Sequence, residues 1–349
     1  MTEDRIVGCI LGTAVGDAIG LPYEGLSRQR ASRLLGSPDQ HHFIFGRGMV
    51  SDDTEHTCIV AQSLISSNGD LHRFQHSLAW GLRRWLVGFP AGVGIATLRS
   101  IIRLWVGFSP ERSGVFSAGN GPAMRAAVIG VALDDSTLRD FVRASSRMTH
   151  TDPKAEAGAI AVALAAHLAS RNTTVAPEVY LNHLESRIGG EAPELITLIS
   201  SVVASVNAGQ KTEAFVDAIG LTRGVSGYIY HSVPVAIHAW LSHQQDCREA
   251  ITTVVRCGGD TDSTGAIVGG IVGAAVGRSG IPEDWLLTLA EWPRTVEWME
   301  TLAKQLSKIG TTNSHSRPTR LPILPLLSRN LFFLVVVLYH GFRRLAPPY

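Results

Sequence analysis

Small and aliphatic residues recur along this chain at three- and four-residue spacing, interrupted by short polar turns. The segments "DRIVGCILGTAVGDAIG", "TEHTCIVAQSLIS", "PAMRAAVIGVAL", "KAEAGAIAVALAAHLAS" and "APELITLISSVVASV" each read as a helix rich in helix-forming residues. Between such segments stand the turn signals "SSNGD", "GFPAG", "SAGNGP", "HTDP" and "RNTT". Alternation with period two, the mark of a half-buried strand, is hard to find. The pattern predicts an all-α domain of many packed helices over residues 1–304. Gly269, Gly273 and Gly277 form a row at four-residue spacing in "GGIVGAAVG". Such a row lets helix backbones approach closely and predicts a central helix crowded on all sides.

Beyond Lys304 the character changes. Residues 305–320 are polar and punctuated by Gly and Pro, and read as a linker. Residues 321–349 are apolar and basic. No Asp or Glu follows Glu300, whereas Lys304, Lys308, Arg317, Arg320, Arg329, Arg343 and Arg344 are cationic. The run "LFFLVVVL" has eight residues, against the roughly 20 of a membrane-spanning helix, and Arg329, Pro325 and Pro322 precede it. The tail is expected to be a helix docked on the domain, with contact to an anionic membrane surface or a partner as the alternative.

Composition narrows the function classes. With 349 residues, 45% hydrophobic and 17% charged, the chain has ample material for a buried core. A formal net charge of +1 offers no global case for nucleic-acid binding. Cys9, Cys58, Cys247 and Cys257 show no CxxC spacing, so neither a disulfide framework nor a zinc knuckle is indicated. The acidic start "MTEDR" does not suit a secretory signal. A cytoplasmic location is therefore expected.

Two stretches place acidic residues beside hydroxyls, each just before a helical segment: "SDDTEHT" (Ser51 to Thr57) and "GGDTDSTG" (Gly258 to Gly265). Helix capping accounts for one carboxylate at each place, because the free N–H groups of a first turn and the helix dipole favour negative charge. It accounts poorly for the second, since adjacent carboxylates repel. Taken together, the clusters form an all-oxygen donor set suited to Mg²⁺, Mn²⁺ or Ca²⁺ rather than zinc. Asp–Asp and Asp–x–Asp spacings can serve two ions of a catalytic two-metal centre. Asp17 in "GDAIG" either orients water there or caps a neighbouring helix. His72 and His76 lie one turn apart without an evident third ligand, which favours an exposed helix face.

These motifs carry a resemblance to the ADP-ribosylglycohydrolase family. "GCILGTAVGDAIGLPYEG" (8–25), "SDDTEHT" (51–57), "SAGNGPAMR" (117–125), "THTDPKAEAG" (149–158), "GYIYHSVPVAIHAW" (227–240) and "GGDTDSTGAIVGGIVGA" (258–274) follow the family's order. The resemblance implies a compact multi-helix fold with a binuclear metal cleft holding two Mg²⁺, with Mn²⁺ an alternative. The implied metal ligands are Ser51, Asp52, Asp53, Asp260, Asp262 and Ser263, and the implied acid/base group is Glu24, assisted by Asp53 and Asp262. Gly119, Asn120 and Gly121 would hold the ribose and diphosphate, with His150 on the phosphates. Phe116 and Tyr228 are candidates for the adenine wall. The activity implied is hydrolysis of the bond between ADP-ribose and an acceptor. The acceptor would be an ADP-ribosylated protein, with arginine narrowly preferred, or a small-molecule conjugate. A non-catalytic ADP-ribose binder of the same fold is the alternative.

Overall fold

The computed structural model describes residues 3–309 and 317–345; residues 310–316 of the expected linker and 346–349 of the tail lie outside the described residues. The elements are α1 (Glu3–Gly20), α2 (Arg28–Leu35), α3 (Asp52–Ser67), α4 (Leu71–Val87), α5 (Ile95–Trp105), α6 (Gly121–Met124), α7 (Ala127–Ala132), α8 (Asp135–Thr149) and α9 (Pro153–Arg171). They continue with α10 (Pro177–Ile188), α11 (Pro193–Asn207), α12 (Thr212–Ala218), α13 (Ile229–Ser242), α14 (Cys247–Arg256), α15 (Thr261–Val276), α16 (Glu283–Thr288), α17 (Val296–Leu306) and α18 (Ile323–Arg343). Extended pairing among the described residues is confined to isolated bridges. The fold is all-α, as the periodicity predicts.

The centre is an antiparallel pair, α1 against α15. Both are buried over nearly their whole length. Gly8, Gly12, Gly16 and Gly20 of α1 meet Gly273, Gly269, Gly265 and Thr261 of α15. A methyl group on Gly12 would lie 2.1 Å from the Gly269 carbonyl oxygen, and one on Gly16 would lie 2.0 Å from that of Gly265. The two backbones are thus in direct contact. Gly277 closes the seam: a methyl on Gly8 would lie 2.7 Å from its Cα, and it ends α15 with φ 70°, packed also on Asp4.

Two sequence expectations are revised. "PAMRAAVIGVAL" is not one helix: it breaks between α6 and α7 at Arg125 and Ala126. The buried Arg125 guanidinium donates to Ser145 Oγ (3.1 Å), the Ser145 carbonyl (2.9 Å) and Thr149 Oγ1 (2.7 Å), and lies 3.1 Å from His56 Nδ1. Satisfying that guanidinium inside the core coincides with the break. The tail helix is also longer than its apolar run. α18 has 21 residues and is long and apolar enough to cross a bilayer by length and composition. Pro322 and Pro325 fall at its cap and first turn, where no intrahelical N–H is required.

α18 docks through one side. Arg329 and Asn330 are buried, as are Phe333 and Val336, which pack on Leu21, Phe43 and Met49. Arg329 donates to Glu291 Oε2 (2.8 Å), Glu55 Oε1 (3.4 Å) and the Val50 carbonyl. Arg294 donates to Glu55 Oε1 at 3.0 Å, and Trp85 Nε1 donates to the other Glu55 oxygen. Burial pushes the Glu55 carboxyl up, but Arg294 and Arg329 outweigh it and hold the group below its ordinary range. The base of α3 is thereby tied to α18.

Candidate metal centre

The two acidic clusters sit at the N-termini of α3 and α15. Ser51 is the N-cap of α3 and accepts from the Asp53 N–H. The Asp17 carboxylate of α1 does the rest of that capping. It accepts from the N–H of Ser51 (2.9 and 3.0 Å), the N–H of Thr54 (3.1 Å) and the Thr54 hydroxyl (2.5 Å). Burial raises the Asp17 carboxyl to about 7 despite those three donors. Asp17 is therefore a capping residue, and Asp52 and Asp53 are left over from the capping that would otherwise explain them.

The α15 end is arranged similarly. Gly258 (φ 71°) and Gly259 (φ 87°) form a left-handed turn into the helix. A methyl on Gly259 would meet the Val225 carbonyl oxygen at 1.9 Å, so glycine is required by both conformation and space. Gly25 donates to the Gly259 carbonyl (2.7 Å) and Gly259 to that of Leu26 (3.0 Å), which clamps the segment carrying Glu24 beside this turn. Asp260 is the N-cap of α15, yet its side chain makes no capping bond. It accepts instead from Asn120 Nδ2 at 2.6 Å.

The clusters meet. Ser263 Oγ donates to Asp53 Oδ2 at 3.4 Å across 210 residues of sequence, and Ser51 Oγ donates to the same oxygen at 2.9 Å. Carboxylate oxygens of Glu24, Asp260 and Asp262 lie within 4.8 Å of one another. Asp53 is buried, and its Oδ1 has no hydrogen-bond partner. Burial, reinforced by neighbouring carboxylates, holds Asp52, Asp53 and Asp262 well above the usual carboxylate range. Glu24 is raised by burial and Asp260 and lowered by Arg344; Asp260 is raised by burial against the Asn120 bond. An orphaned buried oxygen within a cluster of hard oxygen donors fits a divalent cation.

The cleft over this cluster measures about 390 Å³. Glu24, Ser51, Asp52, Asp53, Asp260, Asp262 and Ser263 line one side; Gly119, Asn120, Gly121 and His150 line another. Bridges Gly119 to Tyr228 and Val115 to His150 zip the glycine loop to its neighbours, and Val225 to Gly259 fixes the turn before α15. Burial, then the Arg125 charge, push the His150 imidazole down to about 3, so it is neutral and faces the loop as a hydrogen-bonding group. Its ring lies where methyls on Gly119 and Gly121 would come within 3.1 and 3.0 Å. Phe116 and Tyr228 do not line this cleft. Phe116 is 80% exposed on the outside of its turn, and the Tyr228 hydroxyl accepts from Lys154 Nζ at 2.9 Å.

Other lining residues escape sequence reasoning. The loop carrying Ala91, Gly92 and Gly94 and the start of α5 at Thr97 form a rim; "GFPAG" signalled only a turn. Phe333 and Val337 of α18 also face the cleft, and no motif marks them.

A profile of the ADP-ribosylglycohydrolase family matches residues 1–315. ADP-ribosylhydrolase ARH3 of Xenopus tropicalis is 26% identical, covering 85% of this chain and 94% of its own. The ADP-ribosylarginine hydrolase of Serratia proteamaculans is 28% identical, covering 87% and 79%. Among solved structures, a chain described as an ADP-ribosylglycohydrolase-related protein complex superposes with a TM-score of 0.64 at 27% identity, covering 88% of this chain and 98% of that one.

Proposed function

The chain belongs to the ADP-ribosylglycohydrolase family, and on that premise we propose that it hydrolyses the glycosidic bond between ADP-ribose and an acceptor with divalent cations held by Ser51, Asp52, Asp53, Asp260, Asp262 and Ser263. The observation that carries the reading is the contact of Ser263 with Asp53, which joins the two clusters beneath one cleft. Arginine is the preferred acceptor, because a relative named for that linkage matches along most of the chain. When bound, magnesium or manganese supplies Lewis acidity and the positive charge this donor set needs.

The remaining work falls to protein groups. Cleavage at the anomeric carbon passes through an oxocarbenium-like state, so the sugar must be held while water and leaving group exchange a proton. Gly119 and Gly121 let backbone N–H groups approach the diphosphate, and neutral His150 offers a hydrogen bond rather than a charge. Asn120, expected to bond a ribose hydroxyl, already holds Asp260 and so orients that carboxylate. Glu24, at the rim of the cleft and close to Asp260 and Asp262, is the acid/base group.

The test is a panel of arginine-, serine- and nucleotide-linked ADP-ribose, each with Mg²⁺ and with Mn²⁺. Calorimetry of divalent binding accompanies it. Asp52→Ala and Asp262→Ala should each lower turnover at least about a hundredfold and weaken cation binding. Full turnover in both variants with chelator present would sink the metal mechanism. ADP-ribose binding without turnover on any linkage would identify a binder instead.

A further inference from the structure

α18 is apolar on two opposite sides. The inner side carries Arg329, Phe333 and Val336 into the domain. On the outer side Leu331, Leu334, Val335, Leu338, Tyr339 and Phe342 fill a continuous arc of about 140° at 100° per residue. These six residues are between 40% and 69% exposed.

Two loops extend this face. Phe45, 99% exposed with φ 47°, projects from the turn closed by Ile44 and Arg47, and it shares an apolar groove of about 590 Å³ with Val335 and Tyr339. Phe89, 79% exposed with φ 51°, follows Gly88, whose carbonyl accepts from Asn330 of α18. Two bulky aromatics in left-handed backbone are thus held out on loops that pack against α18, Phe45 beside its exposed apolar face. Contiguous apolar surface of this extent marks an interaction site.

Charge identifies the occupant. Arg317 and Arg320 precede the helix, Arg343 lies in its last turn, and Arg47 follows Phe45, while no acidic residue occurs after Glu300; Arg344 turns inward and donates to the Pro22 carbonyl. Aliphatic and aromatic groups bordered by guanidinium groups match the boundary between acyl chains and anionic headgroups. A second copy packed on the same face would bring these cations against their equals. A spanning arrangement would pull Arg329 away from Glu55 and Glu291, leaving buried carboxylates short of a partner.

We propose that this face is a docking surface for an anionic lipid bilayer, with α18 lying in the headgroup plane and Phe45 and Phe89 inserting beside it. The same helix contributes Phe333 and Val337 to the metal cleft, which would bring the cleft close to the membrane surface. The inference stands on the outer face of α18 and is independent of the reaction assigned to the cleft.

Flotation of the full chain tests it, using vesicles of phosphatidylcholine alone and of phosphatidylcholine mixed with phosphatidylglycerol. The chain should float with the anionic vesicles only, and high salt should release it. Leu338→Glu and Phe342→Glu should each weaken binding about tenfold; Arg317→Gln and Arg320→Gln should each weaken it about fivefold. All four positions are exposed, and unchanged thermal melting of the variants would show that folding is not the cause. The proposal is overturned by absence of flotation. It is also overturned by equal, salt-insensitive binding to neutral vesicles, by bound protein that only detergent extracts, or by a dimer that Leu338→Glu dissociates while lipid binding is unchanged.

Discussion

At the scale of single residues, the informative question is which polar atoms have partners. Asp17 and Asp53 are both buried aspartates, but Asp17 satisfies the start of α3 whereas Asp53 retains a free oxygen over the cleft. Sequence spacing does not distinguish these states, because each is set by a neighbour far along the chain. A buried histidine away from the cleft makes a separate point. His238 of α13 lies within 3.0 Å of Ser205 Oγ and of Thr212 Oγ1 and stacks on Phe215. Burial, and secondarily His243, push its imidazole from 6.5 down to about 4. A group whose folded value is lowered must take up its proton against the fold. The stability it contributes is complete above pH 6.5 and is lost as pH falls toward 4, on the order of 3 kcal/mol in all. Urea melts between pH 7 and 4 should show that decline, and His238→Gln should make it shallower by that amount relative to the unsubstituted chain.

At the scale of elements, the α1–α15 seam sets the cleft. Because Gly12 and Gly269 touch backbone to backbone, a side chain at either position separates the helices whose ends carry Asp17 and Asp260. Gly12→Ala is expected to cost about 3 kcal/mol or more in denaturant unfolding, at or beyond the upper end for overpacked cores. Gly341→Ala is the counterpart: nothing lies near that position in α18, and the change should stabilise by about 0.5–1 kcal/mol. Much of this level was legible. The row of small residues at Gly269 and Gly273 announced close packing, and the segments named from periodicity are helices. Their partner was not legible, since Gly8, Gly12 and Gly16 present a similar row and spacing alone does not say that the two rows face each other.

At the scale of the molecule, the Glu55, Glu291, Arg294 and Arg329 network joins α3, α18 and the segment before α17. Removing one guanidinium leaves two buried carboxylates on the other. Arg329→Met should therefore destabilise by about 3–5 kcal/mol, read as a lower unfolding midpoint together with faster tryptic cleavage between α17 and α18. An unchanged midpoint would mean that α18 is not integral to the domain. The tail looked separable by composition, yet its Arg329 reaches Glu55, one helical turn from Asp52, and two of its side chains line the cleft.

What the sequence by itself determined were the local properties: helical periodicity, the two acidic clusters, and the motif order that points to the family. These depend on residues a few positions apart. Only the tertiary structure decided that Ser263 meets Asp53, that Asp17 takes over the capping of α3, that Asn120 holds Asp260, and that α18 walls the cleft. Each joins groups tens to hundreds of residues apart, and such pairings follow from how the helices pack.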